Sequence, residues 1–309
     1  MSDDLGASKN SAYAPATTVY HFQNLSTAFN DSSSFPQPYH YPPDIILVTR
    51  PTYTAFFTHY HRLVTESNNQ FGRLLESCKP PNDPGLPRRR PIIYVDENEH
   101  HFNCFLIALY NWSSQLYKPD TGVFSHVFNL VIKYGFKVRS VFSPSSGGFQ
   151  DLVRTAETEA LRMYTLAAHW DFEELAVSAS RYVLRVADTI QNITDDHAET
   201  IGPRYLLRLI QLHETRKARL KELLLIPPTL HVDDTPACAR PQRLSVLRAY
   251  GLAAGYVVWE KAAGVTVQEI KSILFGNIGT SISCPVCSDA VQRNIDHVLD
   301  LWSQMKDTI

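Results

Sequence analysis

The stretch Ser143-Pro-Ser-Ser-Gly-Gly148 constrains this chain most, because it separates two kinds of hydrophobic pattern. Before it, short apolar runs bounded by proline and turn residues alternate with amphipathic stretches, as in a mixed α+β domain. After it, one helical period follows another. A chain of 309 residues is too long for one small core, so about two domains plus tails are expected.

Residues 1–41 are rich in Ser, Asn, Pro and Tyr, with Asp31-Ser-Ser-Ser-Phe35 followed by four prolines up to Pro43. They lack a sustained hydrophobic period and read as a disordered N-terminal arm. Asp44-Ile45-Ile46-Leu47-Val48, between Pro43 and Arg50-Pro51, suits a buried strand, and Thr54–Phe57 a second one. From His61 to Leu75 the apolar and small positions Leu63, Val64, Ser67, Phe71, Leu74 and Leu75 fall at helical intervals. The Pro-rich segment from Lys79 to Arg90, ending in three arginines, must be a loop with a solvated basic end. Pro91–Val95 reads as a third strand. Asp96 and Glu99 then form a D-x-x-E capping box, with Asp96 accepting from the backbone of Glu99. The helix it starts carries Phe102, Phe105, Leu106, Leu109 and Tyr110 on one stripe, and Phe124–Val131 continues in helical manner.

Beyond residue 148, a helix over Leu161–Trp170 ends at a second box, Asp171-Phe-Glu-Glu174, which starts a helix burying Phe172, Leu175, Ala176, Ala179 and Val183. Pro203 fits the first turn of a long helix that Pro227-Pro228 terminates. After a linker to about residue 241, further helices follow, the last with Val291, Ile295, Val298 and Trp302 on one face.

The order strand, strand, helix, loop, strand, capped helix, helix resembles the BTB/POZ fold. Asp44 opening an apolar strand looks like the family's start, and His59, Leu63 and Ser67 reproduce its H-x3-L-x3-S spacing, with Phe71 near its aromatic position. Tyr94-Val95-Asp96-Glu97 and the stripe after it are similar to the family's third strand and following helix. Residues 161–184 and Tyr205–His213 look like the helices that many fungal BTB proteins carry behind the domain. Two departures stand out: Asn68-Asn69-Gln70 places Phe71 one residue late, and the loop at 79–90 is long. The resemblance implies an α+β BTB/POZ-like domain at 42–145, helical regions at 150–228 and 241–309, and a non-enzymatic interaction protein. Its expected partners are a second copy of itself or other proteins, with adaptor work for a cullin-type ligase resting on fold analogy alone.

The chemistry agrees with such a reading. The chain has no G-x-S-x-G elbow, P-loop, G-x-G-x-x-G after a strand or H-E-x-x-H, and no residue stands out as catalytic. Cys284-Pro-Val-Cys287 has zinc-ligand spacing, and His297 or Cys238 are candidates to extend it, but a second close pair is missing. Two packed or free thiols without a cofactor are therefore expected. Cys287, just before a predicted helix, is where a helix N-terminus would favour thiolate. His100, His101 and Cys104 point in different directions on a helix, so His100 is read as surface and Cys104 as core, while His213 is read as a packed, hydrogen-bonded histidine.

Arg216-Lys217-Ala218-Arg219-Leu220-Lys221 is the most basic helical stretch, flanked by Glu214 and Glu222 and without an aromatic residue for base stacking. It is read as a solvated face. The alternative function, a zinc-stabilised nucleic-acid-associated regulator, needs both this stretch and a real site at Cys284 and Cys287. A formal net charge of −2 gives no global pull toward nucleic acid or an anionic membrane. A polar start, no apolar run near the about 20 residues of a membrane span, and five cysteines together suggest a soluble intracellular protein of cytoplasm or nucleus with reduced thiols.

Overall fold

The computed structural model describes residues 22–31, 41–76, 90–186, 190–236, 238–261, 263–279 and 282–309. They divide into two compact units, each described separately below: one takes the chain up to Trp112 together with His126–Val141, the other Ser113–Ser125 and Phe142–Ile309.

The first unit is built on a four-stranded sheet, in the spatial order β1 (Asn24–Leu25), β3 (Thr54–Thr58), β2 (Ile45–Thr49), β4 (Ile92–Val95). β2 and β3 form an antiparallel hairpin in register Ile45↔Thr58 to Thr49↔Thr54, while β2 pairs with β4, and β1 with β3, in parallel. Both hairpin strands are buried along their whole length, which explains why they read as continuous apolar runs without alternation. Ile46, Val48, Ala55 and Phe57 pack together on one face, and Phe56 on the other meets Phe102 edge-on at 5.3 Å.

The expected disordered arm is corrected where it is described. β1 extends the sheet, and Phe29 is fully buried, stacked on Trp112 at 5.1 Å. Residues 1–21 and 32–40 of the arm, and residues 77–89 of the Pro-rich loop, lie outside the described residues. Arg90, the last arginine of the triplet, is described and pairs with Asp31.

The helix expected over 61–75 is shorter. α1 spans Tyr60–Thr65, and Gln70, Phe71, Gly72 and Arg73 all have positive φ. Asn69 holds that reversal by accepting from the Gly72 N–H at 2.7 Å and donating to the Lys133 carbonyl at 3.0 Å; its short amide competes with helical hydrogen bonds. The capping box at Asp96 is also displaced. Asn98 caps α2 (Glu99–Leu109) by accepting from His100 and His101, whereas Asp96 pairs with Arg50. His100 lies at the surface and Cys104 in the core, as read from the sequence. α3 (Thr121–Lys133) carries the helical stretch read at Phe124–Val131.

The first unit closes with the short α4 (Val138–Val141). The second unit is helical, with α5 (Gly147–Thr158), α6 (Ala160–His169), α7 (Glu173–Val183), α8 (Asp195–Leu224), α9 (Arg240–Glu260), α10 (Val267–Ile278) and α11 (Pro285–Ser303). The five core positions expected of α7 are all buried. Its start differs: Asp171 has positive φ and accepts from the Tyr205 hydroxyl instead of capping. Gly202 at φ 73 breaks α8 in two, so Pro203 begins its second half, where a missing N–H costs nothing. Leu220, Leu223 and Leu224 of α8 share one core with Tyr250, Val257, Ile270, Leu274, Ile295 and Trp302 of the last three helices. The expected stripe of α11, Val291, Ile295, Val298 and Trp302, faces that core. Among the described residues no helix is long and apolar enough to cross a membrane.

Candidate metal centre

Pro285, with its φ already set for a helix, begins α11 directly after Cys284, which occupies the N-cap position and leaves Cys287 in the first turn. The orphan N–H groups of Val286 and Cys287 turn back to the Cys284 sulfur. Both thiols of the C-x2-C pair thereby point to one side of the helix start.

Two further side chains reach the same spot from the segment before α9. Thr235 and Cys238 exchange backbone hydrogen bonds of 3.0 Å, closing a tight turn. Arg243 of α9 holds that turn by donating to the carbonyls of Val232, Asp233 and Cys238 at 2.8, 3.0 and 3.3 Å, and to the Asp234 carboxylate at 2.9 Å. His231 Nδ1 lies 2.8 Å from the Asp233 carbonyl. A carbonyl only accepts, so Nδ1 carries the proton and Nε2 is left with a free lone pair. That Nε2 is 3.5 Å from Cys284 Sγ, while Cys238 Sγ and Cys287 Sγ are 3.7 Å apart. All four ligand atoms fall within 4.8 Å of one another. The three cysteines are buried as free thiols, with Leu230 and Ile282 packed against them.

The electrostatics separate the paired thiols. Hydrogen bonding from the Cys287 N–H, with help from the Val286 N–H, lowers the Cys284 thiol to about 7. Burial, and then the neighbouring Cys238 and Cys284, push the Cys287 thiol up to about 12. The helix start therefore favours thiolate at Cys284, not at Cys287 as expected, because Cys284 sits outside the first turn where the free N–H groups converge.

No family model, curated protein or solved structure matches the chain.

Of the candidate ligands read from the sequence, Cys284, Cys287 and Cys238 come together and His297 does not. His297 is exposed on α11, ten residues beyond Cys287, or about 15 Å along the axis. The ligand that sequence reasoning missed is His231. The signal for it was His231-x6-Cys238, but a histidine in a linker has no periodic neighbours to mark its direction.

The basic stretch does not form one solvated face. Arg216 is buried, with its guanidinium 4.2 Å from the Trp302 ring centroid, and Arg219 pairs with Glu222. His213 is packed as expected, but its Nε2 has no hydrogen-bond partner among the described residues.

The five BTB-pattern residues all have structural tasks within the first unit. Asp44 accepts from the Tyr60 N–H at the start of α1. His59 is fully buried, with Nδ1 3.0 Å from the Tyr110 hydroxyl and Nε2 2.9 Å from the Tyr41 carbonyl; burial lowers its pKa. Leu63 is a core residue. Ser67 Oγ accepts from the Phe71 N–H at 2.7 Å and donates to the Tyr134 carbonyl at 2.8 Å, and Phe71 stacks on the Tyr134 ring at 4.2 Å.

A cleft of about 770 Å³ in the second unit is lined by Leu116, Lys118, Asp120, Asp151, Arg154 and Glu159 among others. Its buried carboxylate, Asp151, accepts from the Ser113 and Ser114 hydroxyls, the Ser114 N–H and Arg154. These bonds give Asp151 the task of pinning a turn.

Proposed function

We propose that this protein is an interaction module that self-associates through the BTB/POZ-like region at 42–145 and acts as an adaptor or scaffold without catalysis. The observation that carries the reading is the element order. Hairpin, α1, β4, α2 and α3 follow one another as the resemblance requires, and Asp44, His59, Leu63, Ser67 and Phe71 hold that arrangement together. Support for a second surface comes from α9. It buries Val246, Tyr250, Ala253 and Val257 yet leaves Leu252, Tyr256 and Trp259 exposed at 77%, 48% and 82%. Three large apolar side chains spaced i, i+4, i+7 on one exposed helix face suit an amphipathic protein partner.

The buried Arg216 weakens the alternative of a nucleic-acid-associated regulator, since this cation of the basic stretch is directed at carbonyls inside the protein. The test is molar mass by light scattering over a hundredfold dilution, for the full chain and for a Leu252→Asp, Trp259→Asp double variant. A dimer in both is expected. A monomer in the unaltered chain contradicts self-association, and a dimer lost only in the variant contradicts its placement at 42–145.

A further inference from the structure

We propose that His231 Nε2 and the sulfurs of Cys238, Cys284 and Cys287 bind one zinc ion in a closed tetrahedral site that clamps the segment before α9 to the start of α11. Zinc–sulfur and zinc–nitrogen bonds of about 2.3 and 2.05 Å at tetrahedral angles put sulfurs about 3.8 Å apart, and sulfur and nitrogen about 3.6 Å apart. The Cys238–Cys287 and Cys284–His231 separations are 3.7 and 3.5 Å. These two separations match edges of a zinc coordination tetrahedron, and both are far longer than a covalent bond between the atoms. A disulfide would need its sulfurs at about 2.05 Å.

The ligand set selects the metal class. Three thiolates and an imidazole suit zinc, while magnesium and calcium take oxygen ligands. Four protein ligands leave no position for water or substrate, so the site is structural. Binding displaces the three thiol protons and leaves a site of net charge −1, with zinc unchanged in oxidation state. The surroundings suit that charge. The N–H groups of Val286 and Cys287 point to one sulfur, and the Asp233 carbonyl fixes the histidine tautomer that exposes Nε2. Arg243 acts as a positioning residue, tying down the three carbonyls of the loop that carries His231 and Cys238.

The clamp also accounts for two halves of one site lying far apart in sequence. Cys238 and Cys284 flank the whole of α9 and α10, so one ion closes a helical hairpin whose ends no disulfide joins.

The test uses the untagged full chain. Elemental analysis should find about one zinc per chain, and replacement by cobalt(II) should give the intense visible d–d bands of a tetrahedral site together with thiolate-to-cobalt charge transfer. Cys238→Ser should lose at least tenfold in zinc affinity, and His297→Ala should keep it unchanged. Zinc below about a tenth of an equivalent after incubation with excess zinc, or octahedral cobalt bands, would overturn the proposal. So would a Cys238–Cys287 disulfide in protein purified under reducing conditions. Should Cys238→Ser fail to fold, the cobalt spectrum of the unaltered chain decides alone.

Discussion

The Arg216 guanidinium lies 4.2 Å from the centroid of the Trp302 ring, joining α8 to the end of α11. It donates to the carbonyls of Ala263, Met305 and Lys306, while the Trp302 indole N–H donates to the Val265 carbonyl. Burial lowers the pKa of Arg216, with Asp307 acting in the opposite direction. A buried cation without its partners is costly, and so are carbonyls left without theirs. Arg216→Ala should destabilise the second unit by about 3 kcal/mol in a urea melt followed by circular dichroism. Arg216→Lys should recover only part of that, because an ammonium lacks the planar fork and the ring stacking. A change below about 0.5 kcal/mol, the scale of an exposed surface substitution, would contradict the structural role.

His213 links stability to pH. Burial, with Lys217 and Arg216 nearby, lowers its pKa to about 4 in the folded chain, against about 6.5 when unfolded. The unfolded chain therefore takes up a proton below about pH 6.5 that the folded chain refuses until about pH 4. The stability His213 contributes is complete above that window and falls as pH drops through it, by about 3 kcal/mol. Denaturant melts of the unaltered chain and of His213→Leu should diverge between pH 6.5 and pH 4, the variant losing less. Parallel pH curves would contradict the burial of a neutral imidazole.

Ser67 holds the left-handed turn of the first unit. Its hydroxyl serves the Phe71 N–H and the Tyr134 carbonyl at once, at a place where Phe71 itself has φ 57. Ser67→Ala should cost about 2 kcal/mol in a chemical melt, and Ser67→Thr, which keeps the oxygen, less. Equal losses in the two variants would point to packing in place of hydrogen bonding.

The sequence made legible whatever repeats or is bounded by strong punctuation. β2, β3, β4 and the buried stripe of α11 follow from apolar runs between prolines and from spacing. Less legible were features that depend on a distant partner. β1 is two residues long and exists only because β3 offers an edge. α1 ends early because Asn69 bonds to the Lys133 carbonyl 64 residues away. Asn98, not Asp96, caps α2, since Asp96 is engaged by Arg50. The cysteine cluster shows both sides. Its C-x2-C half is a local pattern, whereas the other half, His231 and Cys238, joins it only once α9 and α10 have folded between them.

We propose a chain that pairs with its own copy and carries one zinc ion in each. Native mass spectrometry of the untagged full chain reads both quantities in one spectrum. The predicted species is twice the chain mass plus two zinc ions. A single chain would contradict the self-association, a metal-free mass would contradict the zinc site, and a metal-free single chain would contradict both.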